Sequence, residues 1–259
     1  MWLSSLKTGL KKGFLNKDRH FLQRWPTNPK VVFFGPPNVF QDEITQRFAV
    51  DVGVPVVSMN TILLNVVEHA GKTEEFSHSF FLRIRDMINA GDEEGLVKDK
   101  VHTKLLRLCS QAQNGFVLTD FPANVAQAES LESFRGGLNA FVHVSLPEDI
   151  LVDIEENKHE CSDCGREYFH ETIVDNSLGI RIEPFIPDLD GRCVDCGSSN
   201  IVSSSDPIAF ERELEAYKAS KEELLGFYSH FGTLVDFELK KGYEDYDNLK
   251  RKIQMNIKH

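Results

Sequence analysis

At 259 residues, with 41% hydrophobic and 27% charged side chains, the chain has the length of one large domain, or of one domain carrying an insertion. It contains no apolar run of the roughly 18 residues that a membrane-crossing helix needs, so no transmembrane segment is expected. The net charge of -11 is uneven: residues 1–30 hold seven Lys/Arg and one Asp, leaving 22 basic and 39 acidic residues in the rest. An acidic body of that kind is a poor nucleic-acid binder, and direct DNA binding is not expected.

In chain order the basic leader comes first. Trp2, Leu3, Leu6, Leu10, Phe14 and Leu15 are interleaved with Lys7, Lys11, Lys12 and Lys17. The segment is amphipathic and almost free of acids, as mitochondrial targeting segments are, although Lys stands where Arg is more usual. Residues 1–29 therefore read as a basic N-terminal extension, with a mitochondrial location expected. The extension is the expected docking element onto protein subunits of a larger assembly; an acidic or RNA-rich partner is the alternative surface for it.

The apolar run Val31 to Phe34 reads as a buried parallel strand, followed by the turn Gly35-Pro36-Pro37 and then by helical spacing. A strand, a glycine turn and a helix open a nucleotide-binding α/β domain. In its phosphate-binding version the loop is G-x-x-x-x-G-K-[ST], in which backbone amides wrap the phosphates, the lysine neutralises them and the hydroxyl holds magnesium. Here the first glycine is Gly35, but Phe40 stands at the second, Gln41 at the lysine and Asp42 at the hydroxyl, with Glu43 beside it. Two carboxylates a few ångströms from a triphosphate repel it by roughly 1 kcal/mol each even at water-like screening. ATP and AMP binding is not expected on that ground.

Asp42 to Val52 has helical spacing, and Val54 to Ser58 reads as a second strand, completing a βαβ unit with a right-handed crossover. Thr61 to Ala90 and Asp99 to Gln113 read as helices separated by Gly91-Asp92-Glu93-Glu94-Gly95. Three further strands are predicted at Phe116 to Leu118, Ala140 to Leu146 and Thr233 to Phe237.

Between the last two of these lies the most specific signal in the chain, Cys161-Ser-Asp-Cys164 with Cys193-Val-Asp-Cys196. Two C-x2-C knuckles place four thiolates at the spacing of a tetrahedral zinc site, and Gly165 and Gly197 let the chain turn around the metal. Two disulfides or free buried thiols are the competing readings. A four-sulfur site leaves no open position for substrate, so the expected role of Cys161, Cys164, Cys193 and Cys196 is to hold a structural zinc. His159 and His170 lie near enough in sequence to be alternative ligands. The Pro- and Gly-punctuated segment between the knuckles suits a small β-rich flap, and the main core is expected to fold without it.

These pieces in this order resemble adenylate kinase, in its long form with a zinc-bearing lid, over roughly Val31 to Ile253. The residues that carry the resemblance are Gly35-Pro36-Pro37, Gly53-Val54-Pro55, Gly95-Leu96-Val97-x-Asp99-x-Val101, Asn114-Gly115-Phe116-Val117-Leu118-x-Asp120-Phe121-Pro122, Gln127-Ala128, Leu151-Val152-Asp153, the four cysteines, and Leu214 with Tyr217. The resemblance implies a P-loop-NTPase-like α/β fold, a five-stranded parallel sheet flanked by helices. It also implies a domain over 30–259 with a monophosphate-binding-type helical insert at 60–91 and a zinc lid at 157–203.

The family's phosphoryl transfer rests on cations that position and neutralise the reacting phosphates. At those positions this chain has Gln41 for the loop lysine, then Leu64, Ala123, Ile154, Lys158-His159, Val202 and Glu213 for arginines, and Thr119 for an aspartate, with Asp120 one place late. Each lost charge-assisted contact would cost ~2–4 kcal/mol in the transition state. The expectation is a protein that is not an enzyme and has no catalytic or cofactor-binding residues. It would act as a structural or accessory subunit of a respiratory complex, ATP synthase or mitochondrial ribosome. The alternative is a nucleoside monophosphate kinase or nucleotide-binding regulator with a rearranged phosphate loop.

Overall fold

The computed structural model describes residues 25–26, 28–58, 114–119, 121–133, 136–188 and 190–258. The helices predicted at 61–90 and 99–113, the insert at 60–91 and residues 1–24 lie outside them.

The order of elements is β1 (Lys30–Phe34), α1 (Gln41–Val52), β2 (Val56–Ser58), β3 (Phe116–Thr119), α2 (Val125–Glu132), β4 (Ala140–Ser145) and α3 (Glu148–Glu156). An antiparallel section follows, with β5 (Lys158–Cys161), β6 (Glu167–Phe169), β7 (Ile173–Asp175), β8 (Ile180–Ile182) and β9 (Ile201–Ser203). The chain then returns to the main layer through α4 (Pro207–His230), β10 (Leu234–Glu238) and α5 (Tyr246–Asn256).

Five strands form one parallel sheet, as the resemblance implies, and their order is β10-β4-β1-β3-β2. Its central strand, β1, pairs with β3 on one side, Val31 opposite Val117, and with β4 on the other, Val31 opposite Ala140. A parallel strand covered on both faces must be apolar at every position rather than at alternate ones. Val31, Val32 and Phe33 accordingly have at most 1% of their surface exposed. On one face α1 contributes Ile44 and Phe48, one helical turn apart, and Phe48 meets Phe33 and Trp25 edge-on at 5.3 and 5.2 Å. Toward the other, Tyr228 of α4 stacks on Phe141 of β4 at 4.0 Å. The helices are punctuated locally: Asn124 accepts from the Gln127 amide at the start of α2, and Asp206 from the Ala209 amide at the start of α4.

The cysteine-bearing section folds as a three-stranded antiparallel sheet, β6-β5-β9, with a separate hairpin β7-β8. Here the expectation of an independent core is corrected. Phe169, Ile173, Ile180 and Ile182 belong to the same buried cluster as Val31, Phe33, Val39 and Tyr246. The Arg181 amide also donates to the Lys240 carbonyl just after β10, at 2.8 Å. Ile180 and Ile182 alternate with exposed Arg181, so one face of the hairpin supplies core and the other solvent surface.

If the hairpin is part of the core, Ile182→Ala should lower global stability by ~2–4 kcal/mol through lost burial and a residual cavity. Urea unfolding followed by both fluorescence and circular dichroism should show one shifted transition. A variant that unfolds at the wild-type midpoint would show the insertion to be separable.

Candidate functional site

A cleft of about 570 Å³ opens beyond the carboxyl end of β1, bounded by residues 35–43, by 121–123 after β3, and by Glu213, Tyr217 and Ser220 of α4. Because β3 and β4 lie on opposite sides of β1, the strand order reverses there, and the connections diverge to leave room for a ligand.

The loop that forms its floor is held by its own side chains. Gly35 is required by close approach: a Cβ would lie 2.6 Å from the Val144 carbonyl oxygen and 2.8 Å from Val39 Cγ1. Val39 is buried over it. Asn38 and Phe40 both have left-handed backbones, φ 61° and 58°, which few residues other than glycine adopt. Tertiary contacts hold each of them there. Asn38 Nδ2 donates to Glu155 Oε2 at 2.8 Å, and Glu155 Oε1 accepts from the Asp206 amide at 2.6 Å. One buried carboxylate thus joins the loop, α3 and the start of α4. The Phe40 ring lies 5.6 Å from that of Phe169 on β6 and also contacts Gly242. Gln41, at the lysine position of a phosphate loop, turns its amide toward the Phe33 carbonyl at 3.4 Å.

The cleft is acidic. Lys158 is the one cationic side chain among its described lining residues, against the carboxylates of Asp42, Glu43, Glu167 and Glu213. Lys158 makes a 2.8 Å ion pair with Glu167. Burial works against its charge, but Glu167, with Glu155 and Glu213 behind it, more than offsets that and raises its pKa. Burial raises the pKa of Glu43, partly countered by a backbone hydrogen bond and by Arg166.

The remaining positions singled out in the sequence are dispersed. Ile154 is buried in the core and Val202 is exposed. The Ala123 amide donates to Gln127 Oε1 at 2.6 Å, so Gln127 closes the start of α2. Thr119 is buried. His159 and His170 stack on each other with centroids 4.3 Å apart. Leu64, Leu96, Val97 and Asp120 lie outside the described residues.

No sequence pattern points to a relay behind the cleft wall that is centred on buried His143 and ends at exposed Asp236. His143, on β4, has Nδ1 2.7 Å from Asp236 Oδ1 of β10 and Nε2 2.7 Å from the hydroxyl of Tyr217, which lines the cleft. The carboxylate accepts from Nδ1–H, leaving neutral Nε2 to accept from the phenol. No motif links positions 143, 217 and 236; only the sheet register, His143 opposite Asp236, brings them together.

The four cysteines do converge. Their Sγ atoms all lie within 4.8 Å of one another, with Cys161 to Cys196 at 3.6 Å and Cys164 to Cys193 at 3.4 Å. A disulfide would need about 2.05 Å. Sulfurs at the corners of a tetrahedron around a metal about 2.3 Å away stand close to 3.8 Å apart, so this donor set fits a metal ion. Cys161 and Cys193 are buried, while Cys164 and Cys196 face solvent. Each knuckle is a tight turn, closed by Gly165 N–H to the Cys161 carbonyl and Gly197 N–H to the Cys193 carbonyl, both at 2.8 Å, with both glycines at left-handed φ. Burial opposes the Cys193 thiolate, but hydrogen bonds from the Tyr168 hydroxyl and the Cys196 and Asp195 amides bring its pKa down to about 6.

The relay makes stability pH-dependent. Burial, opposed by Asp236, lowers the His143 pKa, so the folded imidazole takes a proton less readily than the unfolded one. The unfolded state then binds more protons as pH falls through about 6.5, and stability falls with it. His143→Gln should flatten the dependence of the urea midpoint on pH between about 7.5 and 5; an unchanged slope would assign it to other groups.

No family model matches the chain. Among curated proteins it is similar to a GTP:AMP phosphotransferase of Plasmodium falciparum, 21% identical over 85% of this chain and 93% of that protein. It is also similar to the adenylate kinase of Caldanaerobacter subterraneus subsp. tengcongensis, 25% identical over 86% of this chain and 95% of the other. The adenylate kinase of Kosmotoga olearia is 26% identical over 88% of this chain and 99% of its own length. The expectation that the chain is not an enzyme is thereby corrected, since these full-length relatives are phosphotransferases. The physical reason is that matching positions shows only whether the family's usual cations stand in their usual places. An open cleft that keeps a charged lysine can bring charge to a ligand from elsewhere. Over nearly the whole of both chains, and with a five-stranded parallel sheet, this chain is thus similar to adenylate kinases and related to nucleoside monophosphate kinases.

Proposed function

We propose that this nucleoside-monophosphate-kinase-related chain serves as an accessory subunit of a larger mitochondrial assembly, with a structural zinc in its four-thiolate centre. The observation that carries the reading is the state of the loop after β1. Gln41 faces a backbone carbonyl, Val39 and Phe40 are packed into the protein, and the nearby Lys158 is already paired with Glu167. The basic character of residues 1–30 supports docking as the task and a mitochondrial location as the setting. A respiratory complex, ATP synthase and the mitochondrial ribosome are the assemblies this reading addresses.

Phosphoryl transfer between nucleotides through a rearranged loop is the second reading. It is favoured by the activities for which the relatives are named and by the open cleft, in which Lys158 would supply the positive charge. Sedimentation of the full-length tagged protein from mitochondrial lysate, run beside a coupled ATP or GTP to AMP assay, separates the two. The accessory reading expects a particle many times heavier than the monomer, from which a chain lacking residues 1–24 is released while remaining folded, since Trp25 already packs on Phe48. A protein that sediments as a monomer, and whose turnover is lost in Lys158→Ala, would establish the second reading instead.

The metal half of the proposal is tested separately. Elemental analysis of purified protein should find about one zinc per chain, since four thiolates bind it tightly enough to contribute folding free energy. Chelation should lower the melting temperature, and Cys193→Ser should remove the chelator's effect. Metal-free protein with oxidised knuckles would refute it.

A further inference from the structure

The four-thiolate centre is not symmetric in its surroundings: Cys161 and Cys193 are buried, and Cys193 alone of these two has a tyrosine hydroxyl against its sulfur among the described residues. Tyr168, on β6, is 1% exposed and forms a small buried cluster with Cys161 and Cys193, against which Phe185 and Ile201 pack. Its ring stacks on Phe185 with centroids 5.4 Å apart and planes within 11°. Arg166 covers Phe185 at 4.6 Å. The hydroxyl at the end of this braced ring lies 3.2 Å from Cys193 Sγ and accepts the Val194 amide at 3.0 Å.

The direction of the hydroxyl proton follows. The Val194 N–H occupies oxygen lone-pair density, and a metal-bound thiolate has no proton to give, so the phenol donates to sulfur. Among the described residues, Cys193 is the one of the four sulfurs that accepts from a side-chain hydroxyl, and it sits on the inner side of the site, opposite the solvent-facing Cys164 and Cys196.

We infer that Tyr168 is a positioning residue of the metal centre, its hydroxyl fixing the Cys193 sulfur and setting how tightly a bound ion is retained. This rests on the zinc reading above. A hydrogen bond to a ligand atom orients it before the metal arrives and draws charge from it afterwards. Removing such a partner commonly weakens metal binding by about 10–100-fold.

The test uses the full chain and compares wild type with Tyr168→Phe, which keeps the stacked ring and deletes only the hydroxyl, and with Phe185→Leu, which disturbs the stacking and keeps the hydroxyl. Zinc affinity is measured by chelator competition, and the cobalt(II)-substituted proteins are compared by their sulfur-to-metal charge-transfer absorption. Tyr168→Phe is expected to lose at least about 10-fold in zinc affinity. Its charge-transfer band should move to longer wavelength, because the Cys193 sulfur becomes more electron-rich. Phe185→Leu should lower thermal stability without moving the band. If wild type binds zinc tightly and Tyr168→Phe matches it in affinity and spectrum, the inference is overturned while the zinc reading stands. If wild type itself binds no zinc or cobalt, both fall together.

Discussion

The parallel pairing of β1 with β3 and β4 is the constraint on which the rest of the molecule depends. A strand hydrogen-bonded on both edges and covered on both faces cannot shift register without exposing a wholly apolar ladder. Its end is therefore a fixed point. The chain has to leave it through a tight turn beneath the Val144 carbonyl, which is why glycine occupies position 35. It then enters α1, whose Ile44 and Phe48 lock back onto the same sheet. The cleft is what remains outside this fixed point, between strands whose connections run in opposite directions.

That geometry explains why the loop tolerates side chains that its own backbone disfavours. Left-handed Asn38 and Phe40 each carry a local conformational cost of order 1 kcal/mol or more. Each also makes a tertiary contact from that conformation. Asn38 reaches the second oxygen of a buried carboxylate whose first oxygen accepts from the Asp206 amide, and Phe40 reaches the aromatic edge of the cysteine-bearing section. The loop is in effect a fastener between the main sheet and the insertion, since Phe40, Phe169, Ile180 and Ile182 lie along one continuous apolar surface. Loop, insertion and α4 are consequently joined by direct contacts.

Two kinds of polar organisation sit on this frame. Around the cleft, charges are set by tertiary neighbours: Lys158 keeps its proton because Glu167 is beside it, and Tyr217 is held because His143 and Asp236 stand behind it. Around the cysteines, the arrangement is mostly local. Each knuckle is built by turns of a few residues, and only the meeting of the two knuckles and the Tyr168 contact need the small antiparallel sheet. Such a centre can substitute for hydrophobic burial in a section whose strands are only three or four residues long.

Much of the fold was legible in the sequence because its signals are short-range. Val31 to Phe34, Phe116 to Leu118 and Ala140 to Leu146 are apolar at consecutive positions, which only a strand buried on both faces requires. The C-x2-C spacing likewise contains its own chemistry, so the four ligand candidates could be named without coordinates. What the sequence could not determine is which residues meet across long separations. Glu155 with Asn38, Tyr168 with Cys193, and His143 with both Tyr217 and Asp236 are pairs separated by 25 to 117 residues. They have no periodicity and no motif, and each exists only because sheet register or hairpin packing brings it into reach. The independence expected of the insertion failed for the same reason: Ile180 and Ile182 look like an ordinary alternating hairpin, and only the tertiary structure decides that the surface they cover is the main core.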